Sequence, residues 1–331
     1  MTPEKAIVHE YWQYWLETAQ QTAGASPSAY FAEDTVWHGP HPINTLHGVD
    51  EINEQLWQPL FHSFRNLRRR VDILMSGTCE NGTWVSSHGY LIGYFQKDWL
   101  GIPATGQEAF IRYGEFCRVA GSKIVETRAL MDIPDVIRQA GYNLFPSSRG
   151  IAGFVPPPRT ADGVMQDAQP EDTTRKSYQL AHDMLFKGLN AFEEDNKEAM
   201  GLTRYWYENM HWYGPHGIGT TRDLTEFQDN HQMPWLAAFP NRKVIDVCPF
   251  FAEGNYTATA GWREVIAKHT GPFLGHEPTG HELEFRVMDW WRRDGDRLIE
   301  NWVLIDLLDA FMQMGTDLLA QLQEQVTQSQ Q

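Results

Sequence analysis

The chain has 331 residues, 42% of them hydrophobic, enough for two domains with cores of their own. Its net charge of −16, from 27 basic against 43 acidic residues, disfavours nucleic acid and anionic membrane as partners. No apolar run nears the ~20 residues of a membrane helix. Three cysteines, Cys79, Cys117 and Cys248, show neither CxxC spacing nor an even framework, which fits a reduced, cytoplasmic setting.

The first element is an amphipathic helix over "AIVHEYWQYWLETA", with no signal-peptide core before it. A short strand carrying "WHGPH" (residues 37–41) follows, then a helical stretch, "GVDEINEQLWQPLFHSF". Four strands come next: "RRVDILMSGTCE", "GTWVSSHGYLIGYF", "EAFIRYGEFCRVA" and "KIVETRALMD", separated by turn signals such as "ENG" and "AGS". The basic cluster "RNLRRR" at its start reads as a solvated strand face. A short helix, "IPDVIRQAGY", closes the set. Residues 147–176 are rich in Pro, Gly, Ser and Asp and read as a linker, with Pro156–Pro158 stiff and "GIAGFV" apolar enough to dock.

Beyond the linker the same order returns. Trp37, Gly39, Pro40 and His41 recur 175 residues later as Trp212, Gly214, Pro215 and His216, and Phe64 and Asn66 as Phe239 and Asn241. The offset then becomes 174: "LGIPATGQE" answers "LGHEPTGHE", Arg112 matches Arg286, Glu126 matches Glu300, and Asp132 matches Asp306. A one-residue drift over so long a span marks a duplicated domain rather than a solenoid. The expected boundaries are 1–146 and 177–331. Helices preceding a run of antiparallel strands make each copy α+β, a curled sheet with helices on one side.

This ordered set resembles the SnoaL-like polyketide cyclase family of the nuclear transport factor 2-like superfamily. The matching pieces are the WxG phrase, a helix leading to F-x-N, the G-x-x-x-T-G loop (Gly101–Gly106, Gly275–Gly280), and Asp followed by a helix ending in Q-x-G. The resemblance implies a cone-shaped domain with an interior pocket for a small organic ligand. It also implies an intramolecular pseudo-dimer, open to further homo-oligomerisation, and acid-base chemistry by an Asp without metal or cofactor. Family cyclases pair that Asp with a His on the preceding strand; here Cys117 and Trp291 stand near that place, so the cyclase step itself is in question.

Candidate residues follow. Asp132 and Asp306 each end a strand and begin a helix, so each is a general acid-base or a helix cap. Alternation sets His88 with Ser86 and Tyr90 on one face; with Arg112, Glu115 and Arg128 brought near by opposite strands it forms a proton-transfer set, or else His88 is satisfied internally. Arg112 and Glu115 lie three apart, hence on opposite faces. The second copy is aromatic: Trp212, Trp262 and Trp302 suit stacking on a ring or pack a core, and alternation joins Trp302 to Asp306. Trp37, His41 and His216 complete the expected ligand contacts. No metal-ligand spacing, nucleophile elbow, P-loop or dinucleotide fingerprint is present. A small-molecule binder without turnover, or one active domain beside a degenerate partner, are the alternatives to an enzyme.

Overall fold

The computed structural model describes residues 1–19, 26–79, 81–191 and 199–329. The chain divides into two compact units, one of Met1–Leu144, Thr160–Ala168 and Asp317–Gln331, the other of Phe145–Arg159 and Gln169–Thr316.

Unit 1 opens with helix α1 (Pro3–Tyr14), capped by the Thr2 side chain on the Lys5 amide. Strands β1 (Phe31–His38), β2 (Thr45–His47), β3 (Phe64–Cys79), β4 (Gly82–Phe95), β5 (Glu108–Ala120) and β6 (Lys123–Met131) form one sheet in the order β2-β1-β6-β5-β4-β3. All neighbours pair antiparallel except β1 with β6. Helices α2 (Gly48–Ile52) and α3 (Gln58–Ser63) are joined by an i→i+5 turn at Asn53–Trp57, and α4 (Ile133–Gln139) follows β6. One sheet face, carrying Trp37, Tyr113, Glu115 and Cys117, is covered by α1, whose Trp12 indole N–H donates to Glu115 at 2.7 Å.

Unit 2 repeats this with a difference. Helix α5 (Glu171–Asp183) begins inside the expected linker; β7 (Trp206–Tyr213), β8 (Thr220–Thr221), α6 (Leu224–Phe227) and α7 (Met233–Ala238) follow. Strands β3, β4 and β5 of unit 1 each have a broken counterpart here. Strands β9 (Lys243–Val244), β10 (Phe250–Glu253), β11 (Tyr256–Thr259), β12 (Val265–Lys268), β13 (Glu282–Phe285), β14 (Val287–Asp294) and β15 (Arg297–Ile305) divide between two sheets. Their orders are β10-β11-β14-β15-β7-β8 and β13-β12-β9. The counterpart of β4, over "NYTATAGWREVIAKH", is therefore two strands. Gly261 stands at its break because a methyl group there would meet the Asp246 carbonyl at 2.1 Å.

Helix α8 (Leu307–Gln313) ends the repeat. The chain then makes α9 (Leu318–Ser329), which groups with unit 1, where the Gln323 amide donates to the Gly101 carbonyl at 2.7 Å. The linker also divides. Ile151 pairs with Thr220 in unit 2, the docking expected of "GIAGFV", though by backbone, with Ile151 and Phe154 side chains exposed; Val164 bridges to Leu74 in unit 1.

The repeated WxG phrase has a packing cause. The Trp37 ring folds over Gly39, where an added methyl would lie 1.8 Å from it, and Trp212 covers Gly214 at 2.0 Å. Gly39→Ala and Gly214→Ala are each expected to destabilise their unit by ~1–3 kcal/mol through overpacking, read from denaturant midpoints; unchanged midpoints in both would remove this account of the motif.

Candidate active site

In unit 1 the sheet separates the residues that sequence alternation brought near one another. Arg112 Nε donates to His88 Nε2 at 2.9 Å on one face, with Tyr90 beside them under the Arg70 guanidinium at 4.7 Å. Burial, with Arg112 and Arg70 adding to it, holds the His88 imidazole well below its usual pKa, so the ring is neutral and its Nε2 lone pair engaged. Burial also pushes the Tyr90 phenol up to about 12. Arg128 lies farther along this face, bonded to Glu126 at 3.1 Å with Trp84 5.5 Å away.

Glu115 is on the opposite face, against α1. There it accepts from Arg69 at 2.9 Å and from Trp12, while the Arg69 guanidinium lies 4.3 Å from the ring centres of both Trp12 and Tyr113. Trp15 and Trp57 stack edge-on at 5.3 Å beside them, so this interior is filled by rings and one buried ion pair.

The repeated aspartates are helix caps. Asp132 accepts from the Asp135 amide at 3.3 Å, and Asp306 from the Asp309 amide at 3.1 Å. Asp306 also pairs with Arg286 at 3.1 Å, which reaches Asp309 with its other nitrogen. Trp302 turns away from the unit 2 interior: its indole N–H donates to the Pro156 carbonyl at 2.9 Å and its ring lies 5.3 Å from Tyr213. Trp262 stands 5.6 Å from Arg286 in the loop between β11 and β12. His216 is buried near Phe145, and His41 is half-buried in the turn after β1. Asp132→Ala and Asp306→Ala should each cost ~1 kcal/mol of stability and spare ligand binding, as measured by thermal melts with titration. Lost turnover at an unchanged melting temperature would restore them as acid-base residues.

Of the expected contacts, Trp212 lines a cavity of about 120 Å³ inside unit 2. Its walls are Trp206, Trp212, Trp235 and Trp291 with Met184, Leu185 and Val303, and its polar groups are His231, Gln232, Arg242, Glu264, Asp289 and Asn301. Glu264 sits at the strand break, its Oε2 accepting from the Gly261 amide at 3.2 Å and from the Thr259 hydroxyl at 3.3 Å. Burial, then the charge of Asp289, raises its carboxyl well above the usual carboxylate range. Asp289 accepts from Asn301 Nδ2 at 2.8 Å. His231 stacks on Trp212 at 4.1 Å, and burial, with Arg242 adding to it, lowers its pKa to about 3. Burial also lowers Arg242, to about 10. Among the described residues no three His, Cys, Asp or Glu side chains converge as a metal site, and no helix is long and apolar enough to cross a membrane.

No motif announces these polar groups, but the duplication does. At the offset of 175, Leu56, Trp57, Leu67 and Arg69 of unit 1 become His231, Gln232, Arg242 and Val244; at 174, Glu115 and Thr127 become Asp289 and Asn301. The buried positions in and just after α1, Tyr11, Trp12 and Trp15, correspond in spacing to Met184, Leu185 and Gly188 just after α5. Two tryptophans and the arginine are thus replaced by Leu185, Gly188 and Val244. The volume they vacate agrees with the cavity.

Two segments of the chain, residues 10–140 and 187–314, match the family model described as SnoaL-like polyketide cyclase. Similar solved structures include a SnoaL-like protein of Jannaschia sp. CCS1, at 16% identity and TM-score 0.39 over 46% of this chain and 99% of that one. IdmH of Streptomyces antibioticus is 23% identical, at TM-score 0.34 over 42% and 99%. An NTF2-like protein of Burkholderia thailandensis E264 is 21% identical, at TM-score 0.33 over 43% and 98%. No curated protein matches the chain. With both repeats covered by one family model, the chain belongs to the SnoaL-like polyketide cyclase family and carries its domain twice.

Proposed function

We propose that the second domain is a cofactor-independent acid-base enzyme of the cyclase or isomerase type, and that the first is its structural counterpart. The observation that carries this reading is the pair Glu264 and Asp289, two carboxyls that line one tryptophan-walled cavity, the first raised well above the usual carboxylate range. Two carboxyls that share a water-poor site are pushed to different protonation states, which equips one as acid and the other as base. The step is an enolisation. Asp289 takes a proton from the carbon next to a carbonyl, the electron pair moves to the carbonyl oxygen, and Glu264 gives that oxygen its proton. Asp289 ends protonated and Glu264 ionised, and the reverse transfer at another carbon completes an isomerisation or closes a ring on an acceptor carbonyl.

The cavity of about 120 Å³ holds roughly ten water centres, hence a ligand of about ten to twelve non-hydrogen atoms, or one part of a longer one. Its indole walls favour a flat, largely apolar ring system. The test is solvent exchange. In heavy water, 2-tetralone is expected to take up deuterium at its acidic carbon faster with the protein than in buffer, and Asp289→Asn should slow this by ~10²–10⁴-fold. Ring ketones that bind in the cavity yet never exchange would make the domain a binding protein.

A further inference from the structure

Gln232 is 4% exposed, lines the unit 2 cavity, and directs its Nε2 at the Met200 sulfur at 3.7 Å. Its carbonyl oxygen, buried too, has no hydrogen-bond partner among the described residues. Buried amide oxygens are almost always satisfied, and one left bare costs stability without return unless something arrives to fill it. Its counterpart in unit 1 is the buried Trp57, so the polar amide is particular to unit 2. Gln232 does not cap α7, which starts directly after it with no side-chain cap bond. It ends an i→i+5 turn, Gln228–Gln232, a local widening that recurs at functional positions in helices.

From this we infer that Gln232 is the specificity-determining residue of the cavity, and that its carbonyl oxygen accepts from a hydroxyl or N–H carried by the ring of the ligand. The inference rests on the cavity being the ligand site. It narrows the ligand class from flat ring to flat ring that carries a hydrogen-bond donor. A ring lacking that donor leaves the oxygen bare, and one with only an acceptor there sets two lone pairs against each other. Sites built this way discriminate strongly between a hydroxyl and its absence.

Three probes of nearly equal size separate these cases: 2-naphthol, 2-methoxynaphthalene and naphthalene, titrated against the full chain by calorimetry. The wild type is expected to bind 2-naphthol roughly ten- to a hundredfold tighter than the other two. Gln232→Leu should bring all three to within about threefold, chiefly by tightening naphthalene, and Gln232→Met, closer in shape, should do the same if the leucine variant folds poorly. A purely structural Gln232 would move the melting temperature and leave the ranking intact. The inference is overturned if 2-methoxynaphthalene binds as tightly as 2-naphthol, if both variants keep the wild-type ranking, or if none of the probes binds. The last outcome would also remove the cavity as the ligand site. Failure of the deuterium exchange alone, with the naphthol preference present, would remove the enzyme reading and keep this one.

Discussion

Glu264→Gln is expected to lower deuterium exchange by ~10²–10⁴-fold, the contribution of a positioned general acid, while making the protein more stable at neutral and alkaline pH. Both effects share one cause. Burial and the neighbouring Asp289 raise the folded-state pKa of Glu264 above its ordinary 4.5. As pH rises past that value, the unfolded chain releases this proton first and the folded chain retains it. The unfolded state then binds fewer protons, so stability falls with pH until the folded pKa is reached, at no more than ~1.4 kcal/mol per pH unit. Glutamine has no proton to retain, and this component of the slope vanishes. His231 supplies the internal control. Its pKa, lowered from 6.5 to about 3, contributes stability that is complete above 6.5 and is lost as pH falls toward 3, and the Glu264 substitution leaves that acid limb unchanged. Melting temperatures from pH 4 to 9 for both proteins, set beside their exchange rates, test the pair of claims. Equal slopes above pH 5 would mean that Glu264 ionises normally and is not the acid.

Placing the site in unit 2 has physical reasons that a single-copy reading lacks. Periodicity and turn chemistry specify the α+β order, the four long strands of unit 1 and both WxG strands, because those depend on local pattern. Strand alternation correctly puts Arg112 and Glu115 on opposite faces, and it groups His88 with Tyr90. It does not say which face the helices cover. The polar residues that looked most catalytic, His88 and Arg112, proved to be on the face away from α1, bonded to one another. Glu115 does face α1, but as the partner of Arg69, a residue the sequence presented as part of a solvated basic run. In unit 2 the three broken strands follow from tertiary context, with Gly261 against the Asp246 carbonyl and a hydrogen bond from the Ile245 amide to the Glu264 carbonyl. Such breaks leave no periodic signature over segments this short. The caps at Asp132 and Asp306 were legible as such from Asp-x-x-Asp, since the geometry of a helix start is local. What remained hidden was a comparison between interiors: which buried residues of one copy the other copy replaces with smaller and more polar ones.

The largest stability effect is expected in unit 1, at the ion pair that fills its interior. Glu115→Ala leaves the Arg69 guanidinium buried without its carboxylate and removes the acceptor of the Trp12 indole, at a cost of ~3–5 kcal/mol. The arginine cannot relieve the loss by giving up its proton, because a guanidinium stays charged in proteins. The double replacement Arg69→Met with Glu115→Leu removes both charges and should recover most of that loss, since apolar side chains of similar size match a buried pair in stability. Arg69→Met alone strands the carboxylate instead. Chemical denaturation of the four proteins measures the coupling directly. A structural pair predicts strong non-additivity and deuterium exchange that tracks the fraction folded. If Glu115→Gln left the denaturation midpoint unchanged and abolished exchange, the catalytic carboxylate would lie in unit 1 and the assignment of the two domains would be reversed.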